Sequence, residues 1–180
     1  LSWFFRGVLD QPDAILAQSA ISQRRYLALG AGGGKVRLGG NLKYDLEPRA
    51  AEVAEPVEQF LDAAKPRWIW IAASTMPGID EADVDEDDIV IDAWRALESR
   101  YPELLLILAP RRPERFELAA QKLASAGLAF ARRSTLPAGA GARVLLLDSI
   151  GELSGLFSRA QVVFMGGSLA RRGGHNILEP

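Results

Sequence analysis

Four short segments carry residue types suited to ligand chemistry, and each follows directly on an apolar run. They are Ser74-Thr75-Met76-Pro77-Gly78, Pro110-Arg111-Arg112-Pro113, Asp148-Ser149-Ile150-Gly151-Glu152, and the stretch from Gly166 to Glu179. In the last, Gly166-Gly167 and Gly173-Gly174 let backbone approach a ligand closely, and a helix opening at Asn176 turns free N–H groups toward an anion. Asn176 and Glu179 also have capping-box spacing. The two glycine pairs and His175 shift the balance to phosphate binding, with Glu179 accepting from ribose hydroxyls. Arg111 follows the strongest apolar run, where a guanidinium can pair bidentately with a phosphate. Arg112 and Arg115 read as helix-start and surface positions. Arg171 and Arg172 fit a diphosphate contact and plain loop solvation equally well. The amides of Ile150 and Gly151 suit a base edge, against a plain helix start with Glu152 favouring the dipole. The acidic run Asp80 to Asp88 lacks the glycine and ligand spacing of a calcium loop, so a solvated acidic loop is expected there.

These segments need a scaffold that brings them to one edge. Short apolar runs, Ala14–Ala17, Val36–Gly39, Trp68–Ala73, Leu104–Ala109, Leu128–Ala131, Val144–Leu147 and Val162–Met165, read as strands. Helical spacing covers Ile21–Leu29, Ile89–Tyr101, Pro113–Ala126 and Leu153–Arg159. Strands apolar on both faces, alternating with helices, predict an α/β fold: a parallel, Rossmann-like sheet covered by helices on both sides. Ligands of such sheets bind beyond the carboxyl ends of the strands. The Glu-, Ala- and Pro-rich stretch after Asp45 marks a domain boundary, giving 1–45 and 46–180.

Composition narrows the chemistry. Of 180 residues, 48% are hydrophobic and 24% charged, with net charge −2, so no broad field draws nucleic acid or an anionic membrane. There is no cysteine, which removes disulfides and thiolate chemistry, and one histidine, which removes a histidine-rich metal site. No window offers the run of about 20 apolar residues of a membrane span. No basic start with an apolar core opens the chain. Leu1 in place of Met, and a closing Ile177-Leu178-Glu179-Pro180 that looks like a helix beginning, read as cuts in a longer protein.

The chain resembles the 3-deoxy-D-manno-octulosonic acid (Kdo) transferases. The matching residues are Gly40-Asn41-Leu42-Lys43-Tyr44-Asp45, Ala73-Ser74-Thr75, Ala109-Pro110-Arg111, Pro113-Glu114-Arg115-Phe116, Asp148 to Leu153, and Gly166-Gly167-Ser168-Leu169 through Gly173 to Pro180. They fall in family order, and the last motif is highly specific, whereas a glycine-rich loop alone is weak.

The resemblance implies a two-domain GT-B glycosyltransferase, with 1–45 ending the acceptor-side domain and 46–180 forming a truncated nucleotide-sugar domain. It implies inverting, metal-independent transfer of Kdo from CMP-Kdo to a lipid A precursor, without a cofactor, at the cytoplasmic face of the bacterial inner membrane. Membrane attachment and the general base, a glutamate, would lie upstream of Leu1. By position CMP contacts fall on Pro110, Arg111, Ile150, Gly151, Glu152, Asn176, Ile177, Leu178 and Glu179, with Ser74, Gly166, Gly167, Gly174 and His175 as further candidates. Lys43 matches a lysine that stabilises the transition state. Two departures stand out: Met76 and Arg112 replace family histidines. Another GT-B transferase, an epimerase, or a nucleotide-binding module without catalysis are the competing readings.

Overall fold

A computed structural model describes residues 2–41, 52–139 and 141–173. The chain divides into two compact units, Leu1–Arg49 and Ala50–Pro180.

In the first unit, helix α1 (Ser2–Leu9) precedes strand β1 (Ile15–Ala17), helix α2 (Ala20–Ala28) and strand β2 (Val36–Leu38). The strands pair in parallel, Ile15 opposite Val36. Ser19 caps α2 by accepting from the Ser22 amide at 3.1 Å, which satisfies one of the open N–H groups of the first turn. A small core of Ala17, Ala31 and Val36 holds the unit together. Helix α1 was not expected from the sequence. Its Trp3, Phe4 and Val8 are exposed, so no buried stripe announces it.

The second unit is a five-stranded parallel sheet. Its elements are α3 (Glu55–Ala64), β3 (Trp68–Thr75), α4 (Glu86–Leu97), β4 (Leu104–Pro110), α5 (Phe116–Ser125), β5 (Ala131–Arg132), β6 (Val144–Leu146), α6 (Leu153–Leu156) and β7 (Val162–Met165). The spatial order is β5-β6-β4-β3-β7. From β3 the chain adds strands toward one side, then crosses back to place β7 on the other. The order therefore reverses between β3 and β7, which is the crevice where such sheets bind ligands.

Two-sided burial is written into β4. Leu105, Ile107 and Ala109 point to one face and pack with Val57, Phe60 and Leu61 of α3. Leu106 and Leu108 point to the other and meet Val90, Ile91 and Trp94 of α4 and Ala119, Ala120 and Leu123 of α5. Helices thus cover both faces, as the strand composition predicts. Helix α3 occupies the Glu-, Ala- and Pro-rich stretch, whose composition hid it. Pro56 sits in its first turn with Glu55 and Glu58. Val57, Phe60 and Leu61 recur at one-face spacing. The helix expected from Pro113 opens as a 3₁₀ turn, Pro113–Arg115. The strand expected at Leu128–Ala131 shrinks to Ala131–Arg132, where Ala131 meets Leu145 of β6. Among the described residues no helix is long and apolar enough to cross a membrane.

Two polar expectations are overturned. Arg115, expected at the surface, is only 8% exposed. Its Nη2 donates to Asp85 at 2.7 Å and to Asp87 at 2.5 Å, tying the start of α5 to the start of α4. Lys122 adds a bond to Asp85 at 2.9 Å. The acidic run is a solvated loop only in part: Asp80, Glu81 and Asp88 are exposed, but Glu86 and Asp87 are fully buried. Asp87 also accepts from the Thr75 hydroxyl at 2.5 Å, at the end of β3. The run carries charge because each buried carboxylate has assigned donors, and buried charge persists only when paired.

Burial pushes the Asp85 carboxyl up, but hydrogen bonds from Lys122 and Arg115 outweigh it and hold the group below the ordinary carboxylate range. A folded-state pKa below the unfolded one means stability that is present at neutral pH and is lost as pH falls through the folded value. Thermal unfolding followed by circular dichroism should show the melting temperature dropping from about pH 5 downward, through and below the ordinary carboxylate range. Asp85→Asn should make that drop shallower while lowering stability at neutral pH. An unchanged slope in the variant would show that Asp85 takes no part.

Candidate functional site

The carboxyl ends of β3, β4, β6 and β7 surround a cavity of about 470 Å³. Ser74, Pro110, Arg111, Ile150 and Gly151 all line it, together with Phe116, Ser149, Leu153, Phe157 and Met165. Three of the four strand-end segments therefore meet in one place. The walls are mainly apolar. Arg111 is the one charged residue among the described residues of the lining, and its amide donates to the Thr75 carbonyl at 3.0 Å. That bond fixes the turn leaving β4 against the end of β3. Arg112 points elsewhere: it is half exposed and pairs with Glu114 at 3.7 Å. Lys43, Gly174, His175, Asn176, Ile177, Leu178 and Glu179 lie outside the described residues.

Ser74 has φ of 54°, a left-handed conformation rare for a side-chain-bearing residue. The register between β3 and β4 slips at the same point, between Ala73 and Thr75. Such backbone persists only where neighbours over-determine it. Here the neighbour is Gly166. A Cβ on Gly166 would lie 2.1 Å from the Ser74 carbonyl oxygen, so only glycine lets β7 run into the switch point.

The amides of Gly166 and Gly167 do not await a phosphate. The Gly166 N–H donates to the Ala73 carbonyl at 2.8 Å. The Gly167 N–H donates to Glu86 at 2.7 Å, and the same carboxylate accepts from Leu169 at 2.9 Å, Ala170 at 3.2 Å and Met76 at 2.8 Å. Glu86 occupies the place an anion would take in a nest of amides. These two glycines are thus structural. Met76, which replaces a family histidine, is buried beside this carboxylate.

Arg171 and Arg172 are also settled as loop contacts. Arg171 donates to Asp80 at 3.0 Å, its amide reaches Asp83 at 3.0 Å, and Arg172 donates to the carbonyls of Pro77 and Gly78 at 3.2 and 2.9 Å. Backbone bonds, first from Ile79, keep the Asp83 carboxyl below its ordinary range.

Glu152 does not line the cavity. Arg133 grips it through Nε at 2.8 Å and Nη2 at 2.6 Å, and the Ser149 hydroxyl donates to it as well. Burial works to raise its carboxyl, but Arg133 and Ser149 hold it low. Asp148, with a side chain 2% exposed, accepts from Arg132 Nε at 2.8 Å and from the Ser134 amide and hydroxyl at 2.8 and 2.6 Å. Burial again pushes up, and Ser134 and Arg132 prevail. Glu86, Arg132 and Arg133 were missed in the sequence. Glu86 is hidden inside an acidic run. Arg132 ends strand β5 and Arg133 directly follows it, so the strand-end rule applied there would have found them.

The family model described as 3-deoxy-D-manno-octulosonic-acid transferase (kdotransferase) matches residues 1–46. A 3-deoxy-D-manno-octulosonic acid transferase of Haemophilus influenzae is 41% identical over 95% of this chain. One from Bordetella pertussis is 36% identical over 97% of it. In sequence this chain is a relative of the Kdo transferases. It spans 39% of the length of each of those two proteins. Among solved structures, the C-terminal CMP-Kdo binding domain of WaaA from Acinetobacter baumannii is 31% identical. That match covers 69% of this chain and 65% of that one, with a TM-score of 0.56.

Gly166→Ala tests the packing at the switch point. The forced overlap with β3 backbone should cost roughly 1–3 kcal/mol or more, read by chemical denaturation. A loss under about 0.5 kcal/mol would place the variant with ordinary surface changes and remove the close approach as a constraint.

Proposed function

We propose that this chain is the donor-nucleotide half, with part of the acceptor half, of an enzyme that transfers Kdo from CMP-Kdo to a lipid A precursor. On this proposal residues 46–180 bind the nucleotide sugar and residues 1–45 end the acceptor-side domain of a GT-B enzyme. The enzyme works at the cytoplasmic face of the bacterial inner membrane in lipopolysaccharide synthesis. The observation that carries the proposal is the convergence of Arg111, Ile150 and Gly151 on one cavity at the switch point, in a chain related to Kdo transferases along nearly its whole length.

The chemistry follows from the residues. Arg111 meets the phosphate with charge-assisted bonds. Ile150 and Gly151 turn amide donors toward the pyrimidine. Cytosine offers acceptors at both O2 and N3, whereas uracil puts an N–H at N3, so paired donors favour cytosine and leave uracil mismatched. The apolar wall of Phe116, Leu153 and Phe157 excludes water from the ligand. In the transfer the acceptor hydroxyl oxygen attacks the anomeric carbon, the bond to phosphate breaks, and CMP departs with that electron pair. The hydroxyl proton passes to a base outside this chain. Lys43 stabilises the charge that develops on the leaving phosphate.

Calorimetric titration of the full-length protein should give tighter binding of CMP than of UMP or GMP. Equal or tighter UMP binding would point to a different donor. Arg111→Ala should weaken CMP binding by roughly 1.5–3 kcal/mol, the worth of a hydrogen bond to a charged group. Arg112→Ala should change it little, since exposed ion pairs contribute about 0–1 kcal/mol. Equal losses for the two variants would remove Arg111 from the phosphate site.

A further inference from the structure

Ile150 and Gly151 form an exposed part of the cavity wall. Ile150 is 75% exposed, and among the described residues no hydrogen bond engages either amide. Gly151 has φ of 88°, and a Cβ there would touch nothing within 4 Å, so its glycine serves the turn and not packing. A two-residue turn of this kind has no rigidity of its own. Its shape must come from its flanks.

Both flanks are anchored to one tripeptide outside the cavity. Asp148, before the turn, is held by Arg132 and Ser134. Glu152, after it, is held by Arg133, whose fork reaches both carboxylate oxygens at 2.8 and 2.6 Å. Ser149 closes the loop on Glu152 from within. The tripeptide begins at the last residue of β5, which is itself paired in register with β6 through Ala131–Leu145 and Arg132–Leu146. The anchors therefore sit on the sheet edge beside the strand that feeds the turn. Neither arginine lines the cavity.

We propose that Arg133 is a positioning residue for base selectivity: by clamping Glu152 it fixes the Ile150–Gly151 turn, so that both amides meet a pyrimidine edge at once. The proposal rests on the nucleotide reading given above. Two donors in a rigid spacing discriminate between O2/N3 of cytosine and O2/N3–H of uracil. A slack turn keeps the O2 bond and loses the N3 bond, so it loses discrimination before it loses all binding. Arginine suits the task because its planar fork holds a carboxylate in one orientation, which a lysine ammonium does not.

The test uses full-length protein and titrates CMP and UMP into the wild type, Arg133→Met, Arg133→Lys and Glu152→Gln, with thermal melts as folding controls. For Arg133→Met the CMP affinity should fall on the order of tenfold, as for loss of a charge-assisted bond. UMP affinity should fall less, so the ratio between the two shrinks. Arg133→Lys should recover part of the ratio. Glu152→Gln keeps the side-chain shape, provides a folded comparison if Arg133→Met does not fold, and should shrink the ratio in the same direction. Variants that keep the wild-type ratio, or that lose both nucleotides by the same factor, would overturn the positioning role. A wild-type protein that binds no CMP would instead overturn the nucleotide reading, and this inference with it.

Discussion

The Glu86 carboxylate is the constraint around which the β3–β7 side of the cavity is organised. It is fully buried at the first turn of α4 and accepts hydrogen bonds from Met76, Gly167, Leu169 and Ala170. Two loops that never meet in sequence, one leaving β3 and one leaving β7, are thereby held to a single point. Burying an isolated carboxylate costs several kcal/mol. Bonds to a charged group return roughly 1.5–3 kcal/mol each, so the group is tolerable only with its full set of donors. Removing any one loop conformation would strand the charge, and the arrangement is correspondingly specific.

The same logic recurs around the cavity. Asp87 joins β3 to α5 through Thr75 and Arg115. Asp83 and Asp80 hold Arg171 of the glycine loop. Asp148 and Glu152 are gripped by consecutive residues at the end of β5, Arg132 and Arg133. Carboxylates with assigned donors hold the strand-end turns, while the cavity itself keeps Arg111 and exposed amides. A site for an anionic ligand gains from this division. The negative side chains near it are neutralised by their partners, which lowers the repulsion an anion would meet there.

Glycine serves two separable purposes here, and the sequence blended them. Gly166 is required by contact, since β3 backbone leaves no space for a Cβ. Gly151 is required by conformation, in open space and with positive φ. Read as one motif, the Gly166-Gly167 pair looks like a phosphate loop, because glycine pairs and anion binding go together so often. Its amides are in fact spent on Glu86 and the Ala73 carbonyl.

The parallel sheet and its helical cover were legible in the sequence, because local patterns determine them. Strands such as Leu104–Pro110 are apolar at every position, and only burial on both faces accommodates that. Strand ends follow from strand positions, so the meeting of Ser74, Pro110, Arg111, Ile150 and Gly151 was open to inference. Only the tertiary structure decided which charges are buried and with whom. Arg115, Glu86 and the Arg133–Glu152 pair look like surface residues one at a time. Their partners lie 28, 81 and 19 residues away for the Arg115–Asp87, Gly167–Glu86 and Arg133–Glu152 bonds. A charge is paired or solvated according to what the fold brings beside it, and no local periodicity encodes that.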